Sequence, residues 1–330
     1  MSTRSPPNLT PPPFSVLPSA ESALQALEEA LPSLGASPAV QTSLRNLSTF
    51  RPPPSTISFP KNRLASVLVL LHLSKDGKLA VTLTTRSRRM RSHPGETALP
   101  GGRSEDGDVG VEGTALREAF EEVSLPLPPT SPLLHLTTLS AYTSRTLLIV
   151  VPCVYLLLLP PDQAQHYLDK TLAGNPDEVE SIFTCDLDAL LSLDSEEQSN
   201  GRATRSHSSS SYVYSYIDFN WPLEPPTPYR LHSFVSPSFS SAITGLTADI
   251  LIDTSSIARF GPSEESLTKD IGFERIMEGQ AGWEEIVERA LSMDTGKREG
   301  RGEAVQKREE KEVKLNEIGK EEVRDEAVES

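Results

Sequence analysis

The stretch Leu99-Pro-Gly-Gly-Arg-Ser-Glu-Asp-Gly-Asp-Val-Gly-Val-Glu-Gly-Thr-Ala-Leu-Arg-Glu-Ala-Phe-Glu-Glu-Val-Ser-Leu125 decides the reading of the chain. Its second half has helical spacing. Leu116, Ala119, Phe120 and Val123 recur at i, i+3, i+4 and i+7 and share one apolar face. Glu118, Glu121 and Glu122 share the opposite face, where like charges repel by a few tenths of a kcal/mol per pair, roughly. A hard divalent cation, Mg²⁺ or Mn²⁺, removes that repulsion, because it prefers oxygen ligands. Arg117 stands beside the acids and can orient a carboxylate by a bidentate pair. Upstream, Pro100-Gly101-Gly102 is a turn whose permissive backbone can approach a phosphate closely.

The 330 residues carry a formal net charge of −15 and a pI near 4.9. That balance argues against general binding of nucleic acid or anionic membrane. Two cysteines, Cys153 and Cys185, supply neither a disulfide framework nor zinc-site spacing, in keeping with a reducing intracellular compartment. The Pro-rich start has no apolar signal-peptide core, and the end, Ala-Val-Glu-Ser330, is not a Ser-Lys-Leu address. Peroxisome, mitochondrion and cytoplasm all stay open. The longest apolar run, Leu147–Leu159, is too short to span a bilayer.

Residues 1–60 are expected to be a disordered start (1–18) and a helical preface, with helices over Ser19–Leu31 and Ser37–Leu47. A main domain over 61–260 follows. Leu64–Leu73 has the aliphatic run of a buried central strand. Lys75–Lys78 turns it into a hairpin with Leu79–Thr85. Leu133–Tyr142 and Arg145–Leu159 are two further predicted strands, residues 194–211 a Ser-rich surface insertion, and Ile243–Ile252 a helix. Residues 261–330 are expected to form a helical and charged tail largely outside the core.

Gly102 followed by Arg117-Glu118-Ala119-Phe120-Glu121-Glu122 resembles the Nudix box, the signature of hydrolases that act on nucleoside diphosphates linked to another group. The resemblance implies an acid at position 109, where Val109 stands with Asp108 beside it, and a glycine at 124, where Ser124 stands. Leu83-Thr-Thr-Arg-Ser-Arg-Arg-Met-Arg-Ser-His-Pro-Gly-Glu-Thr-Ala-Leu-Pro-Gly-Gly102 is similar to the additional signature of the coenzyme A diphosphatase subgroup, with Leu99 where that subgroup usually has Phe.

The resemblance implies an α/β Nudix fold, an α/β/α sandwich around a mixed sheet. It implies a catalytic set of Arg117, Glu118, Glu121 and Glu122, with the three glutamates binding Mg²⁺ or Mn²⁺. Arg86, Arg91, Gly101 and Gly102 are the corresponding substrate-binding residues, and the Arg86–Arg91 loop is assigned the ligand's 3′-phosphate. The implied substrate is coenzyme A or an acyl derivative, cleaved to adenosine 3′,5′-bisphosphate and 4′-phosphopantetheine. Another nucleoside diphosphate derivative such as ADP-ribose or NADH, a modified nucleoside triphosphate, or a non-catalytic binding module are the alternatives. Glu178 and Glu180 are weighed as acids reaching the metals from outside the box, with solvated loop acids the preferred reading. Tyr229, His232 and Phe234 are weighed as pocket lining, with core the preferred reading. The sequence leaves the oligomeric state open.

Overall fold

The computed structural model describes residues 20–55, 57–191, 195–199, 202–206 and 212–293. The disordered start and the charged tail expected at 1–18 and 295–330 lie outside the described residues. Two helices, α1 (Ala20–Leu34) and α2 (Pro38–Thr49), open the chain. Ser37 caps α2 by accepting the Val40 amide at 3.3 Å, and Pro38 occupies a first-turn position where its missing N–H costs nothing. There follow β1 (Leu64–Leu73), β2 (Leu79–Arg86), β3 (Thr97–Ala98), β4 (Gly101–Arg103), α3 (Gly110–Val123), β5 (Leu133–Thr138), β6 (Tyr142–Thr143), β7 (Ile149–Leu157), α4 (Pro161–Thr171) and β8 (Val179–Asp186). The chain continues through β9 (Ser195–Ser199), β10 (Arg202–Ser206), β11 (Val213–Trp221), β12 (Thr227–Val235), β13 (Ile243–Thr244), α5 (Gly245–Phe260) and α6 (Trp283–Ser292). Among the described residues, no helix is long and apolar enough to cross a membrane.

The main sheet runs β3-β2-β1-β7-β5, with β4 also on β1, β6 on β7 and β8 on β2. It is mixed: β1 and β7 are parallel from Leu64↔Ile149 to Leu71↔Leu156, and the other pairs are antiparallel. Leu68 and Leu70 of β1, with Cys153 and Leu157 of β7, pack against Ala115, Leu116 and Ala119 of α3 and Leu168 of α4. The alternate residues Val69, Leu71 and Leu73 join a second cluster with Leu27 of α1, Leu44 of α2 and Ile250 of α5. Helices cover both faces, so β1 has no solvent side and reads as an uninterrupted aliphatic run. This is the expected α/β/α sandwich.

Four expectations need correction. The predicted strand over Leu133–Tyr142 is broken at 139–141, giving β5 and β6 separately against β7. On α3, Phe120 is exposed, because the buried sector is centred on Ala119 and flanked by Leu116 and Glu122, and Phe120 lies beyond Leu116. The 194–211 segment contributes a strand pair, β9 and β10, to a second antiparallel sheet in the order β13-β12-β11-β10-β9. Residues 261–293 are not peripheral. Ile271 and Phe273 belong to the same core cluster as Tyr214 and Phe234, and Ile286 and Ala290 of α6 pack with Trp221 and Tyr229. The few apolar residues of this charged segment cover the second sheet, a surface whose existence the sequence reading did not anticipate.

His72 on β1 is buried, and neither ring nitrogen has a well-formed hydrogen-bond partner. Burial lowers its pKa to about 4, opposed weakly by the Leu70 backbone. The unfolded chain therefore binds a proton that the folded chain does not between the ordinary value of 6.5 and about 4. Stability contributed by the neutral ring is present above that window and lost as the pH falls through it, at up to about 1.4 kcal/mol per pH unit. Urea titrations of His72→Leu are expected to show a higher midpoint at pH 5 and a shallower fall between pH 6.5 and 4. A fall as steep as that of the parent protein would assign the acid lability to other groups.

Candidate active site

The site is built where β4 meets the acidic face of α3. β4 pairs with β1 through Ser66↔Gly102 and Val67↔Gly101. A Cβ on Gly101 would collide with the Ser66 carbonyl and lie 2.6 Å from the Val67 Cα. A Cβ on Gly102 would lie 2.5–2.8 Å from the three atoms of the Glu118 carboxyl group. Both positions therefore admit only glycine if the backbone and the acid stay where they are. The Gly101 amide donates to Glu122 Oε2 at 3.1 Å. Sequence spacing pointed to these two glycines and these two acids, and the fold brings the four together.

Arg117 is the strut of the helix. Its Nε and Nη2 donate to the two oxygens of Asp108 at 2.8 and 3.1 Å, and Nη2 also donates to the Arg103 carbonyl at 2.8 Å. Nη1 lies 2.9 Å from Glu121 and 3.1 Å from Glu118. Asp108 also accepts the Glu105 amide and the Thr114 hydroxyl, both at 2.8 Å. Burial raises the Asp108 pKa, but these hydrogen bonds outweigh it and hold the carboxyl below its ordinary value. The acid implied at position 109 is thus supplied by Asp108, while Val109 is 52% exposed. Ser124, where a glycine was implied, ends α3 in the left-handed conformation at φ 58°. Its hydroxyl offsets part of that strain by donating to the Ala173 carbonyl at 3.1 Å.

The acidic trio divides. Glu121 is half-exposed and turned onto Arg117. Glu122 is buried, and burial, reinforced by Glu118 and Glu178, raises its pKa to about 7 against the opposing Gly101 amide and Arg86. Burial also raises the Glu118 pKa, with Arg117 opposing and Glu121 and Glu178 adding to the rise. Glu178 is half-buried, and its charge contributes to both shifts. The turn that carries it is tied to α3 by Asn175 N to Glu122 O at 2.8 Å and Ala173 N to Val123 O at 3.0 Å. Its nearness to the box is a long-range contact that the local pattern Asn-Pro-Asp-Glu could not reveal. Glu180 is instead drawn to Arg88 at 3.3 Å.

Arg86, at the end of β2, places Nη1 3.9 Å from Glu122 Oε1, and its buried Nε has no hydrogen-bond partner. Arg91 is exposed on the following loop and is not drawn into the acid cluster. Tyr229, His232 and Phe234 are buried core residues on β12 of the second sheet: Tyr229 donates to Asp249, and Tyr214 OH and His232 Nδ1 are 2.9 Å apart.

Among the described residues, no three His, Cys, Asp or Glu side chains stand ready as a metal cluster. Glu118 and Glu122 nonetheless suit a hard divalent cation. Their donors are all oxygen, burial raises the pKa of both, Glu118 adds to the rise at Glu122, and the arginine facing Glu122 sits at 3.9 Å. Glu121 would have to leave Arg117 to join them.

Comparison with known proteins agrees with this geometry. The NUDIX domain family model matches residues 62–206. A Nudix hydrolase of Photorhabdus laumondii is 39% identical over 144 residues, covering 44% of this chain and 69% of that protein. The chain belongs to the Nudix hydrolase family. This Nudix family member is also 41% identical over 128 residues to a peroxisomal coenzyme A diphosphatase of Caenorhabditis elegans, covering 38% of this chain and 50% of that protein. It is 31% identical over 200 residues to the mitochondrial Nudix hydrolase 15 of Arabidopsis thaliana, covering 60% and 59%. The chain thus spans between half and three-fifths of the length of these last two relatives.

If Asp108 rather than position 109 anchors the box arginine, Asp108→Ala removes one side of a largely buried, bidentate pair and should cost about 3 kcal/mol. Val109→Ala should change stability by less than about 0.5 kcal/mol. Chemical denaturation of the two variants checks the assignment, and equal losses would contradict it.

Proposed function

We propose that the protein hydrolyses the diphosphate bond of coenzyme A or an acyl derivative, releasing adenosine 3′,5′-bisphosphate and 4′-phosphopantetheine. The observation that carries this reading is the meeting of two motifs in space. The arginine-bearing segment Leu83–Gly102 ends on Glu118 and Glu122 through Gly101 and Gly102, and returns Arg86 to Glu122. The similarity to a protein named as a coenzyme A diphosphatase supports the substrate class.

The chain's own groups divide the work. The buried Arg86 guanidinium, with a donor left unpartnered, suits a phosphate oxygen. Arg91 and its neighbours Arg88 and Arg89 offer exposed positive charge to the 3′-phosphate of the ligand. Arg117 and the Gly101 amide fix Glu118 and Glu122, so these acids need little reorganisation as the reaction proceeds. Water attacks one phosphorus, the bond from that phosphorus to the bridging oxygen breaks, and the departing phosphate keeps the electron pair. A carboxylate of this group, Glu118 or Glu122 or the nearby Glu178, takes the proton from water. Glu118 and Glu122 would hold a divalent cation, Mg²⁺ or Mn²⁺, which would supply neutralisation of charge on the phosphoryl oxygens.

The test is a panel of coenzyme A, acetyl-coenzyme A, ADP-ribose and NADH, with and without divalent cation, read by product identity. Coenzyme A or its acyl form should give the bisphosphate only with metal present. Glu122→Gln should lower kcat by about a thousandfold with the fold retained. Preferred cleavage of ADP-ribose or NADH, or full turnover by Glu122→Gln, would overturn the reading.

A further inference from the structure

The loop between Arg86 and Glu96 carries Arg88, Arg89 and Arg91, and these like charges favour an open, mobile excursion. Its neck is closed by backbone. The Arg86 amide donates to the Glu96 carbonyl at 2.9 Å, and the Gly95 amide donates to the Arg86 carbonyl at 3.0 Å. Whatever fixes Glu96 therefore fixes the backbone of Arg86.

The Glu96 side chain is held from two sides. Oε2 lies 3.0 Å from His93 Nδ1, and Oε1 accepts Arg145 Nη2 at 2.8 Å. Arg145 also meets the His93 ring. Burial opposes the charge on Glu96, but His93 and Arg145 outweigh it and bring its pKa to about 2, so the carboxylate is ionised wherever the protein works. The far end of the tether is braced. Arg145 sits in a turn closed by Ser144 N to Leu148 O at 2.9 Å and Leu147 N to Ser144 O at 2.8 Å. The Leu147 carbonyl is gripped at 2.8 Å by the buried Arg63, which also holds the Ala290 carbonyl at the end of α6.

We infer that the Glu96–Arg145 ion pair is a positioning device that holds the arginine loop, and with it Arg86, against the carboxylates of α3. Arg145 acts through Glu96 on where Arg86 stands, and so on affinity for the anionic ligand, not on the bond-breaking step. The inference rests on the proposed coenzyme A hydrolysis for its kinetic readout, but its structural half is independent of substrate.

Steady-state kinetics with coenzyme A and Mg²⁺ on Arg145→Ala should show KM raised about tenfold with kcat within about threefold of the parent. Arg145→Lys, which keeps the charge, should recover most of the loss. In an Arg86→Ala background, Arg145→Ala should raise KM no further. Trypsin should cut the native protein after Arg88, Arg89 and Arg91 faster in Arg145→Ala than in the parent. Glu96→Gln, nearly isosteric, should repeat both effects should Arg145→Ala fail to fold.

An unchanged KM, a loss confined to kcat, or KM effects of Arg145→Ala and Arg86→Ala that multiply would overturn the inference, the last by pointing to direct contact with the ligand. If the parent protein turns over no coenzyme A, the function reading fails by itself. The trypsin comparison then decides the tether, and equal cleavage of parent and variant would overturn it.

Discussion

The backbone of Gly101 and Gly102 lies between β1 and the acidic face of α3, and neither residue has room for a side chain. The two constraints differ in kind. At Gly101 the obstacle is the backbone of Ser66 and Val67, so the position governs whether β4 can pair at all. At Gly102 the obstacle is the Glu118 carboxyl group, the end of a flexible side chain, so the position governs where an acid stands. The mixed sheet, the packing of α3 through Ala115 and Ala119, and the return of β2 all converge on this contact.

Electrostatics then sorts the acids by their partners. Asp108 and Glu121 are taken up by Arg117 and stabilise the loop and helix. At Glu118 and Glu122 burial dominates, opposed by Arg117 at the first and by the Gly101 amide and Arg86 at the second, with smaller repulsion from neighbouring acids that include Glu178. A group of acids this far from neutralised is costly to an apo fold and useful to one that binds a cation beside a diphosphate. The strut and the reactive group are thus neighbours on one helix, and Arg117 touches both, through Glu121 and Glu118.

Much of this was legible in the sequence because it is local. The i, i+3, i+4 spacing of Glu118, Glu121 and Glu122, the glycine pair and the unbroken aliphatic run of β1 all express a period or a steric demand within a few residues. What was not legible depends on tertiary contact. Asp108 reaches Arg117 from one position earlier than the family pattern implies, because the loop from Arg103 folds back on itself through the Glu105 amide. Glu178 approaches the box only because its turn is tied to the end of α3. The cover that Ile271, Phe273 and α6 give the second sheet was missed because charged residues separate the apolar ones, masking any simple period. Phe120 shows the converse failure, a helical wheel that fixes a face to within one residue but not the sector that its neighbours bury.

The central claim is that glycine at 102 sets the Glu118 carboxyl group where, with Glu122, it can hold a divalent cation. The most direct test is Mn²⁺ binding followed by electron paramagnetic resonance in the parent protein and in Gly102→Ala. The account predicts that the parent binds Mn²⁺, and that the variant keeps its thermal midpoint and circular dichroism but loses at least about tenfold in Mn²⁺ affinity, since the added methyl displaces a side chain and not the backbone. Unchanged Mn²⁺ affinity in a folded Gly102→Ala protein would contradict it.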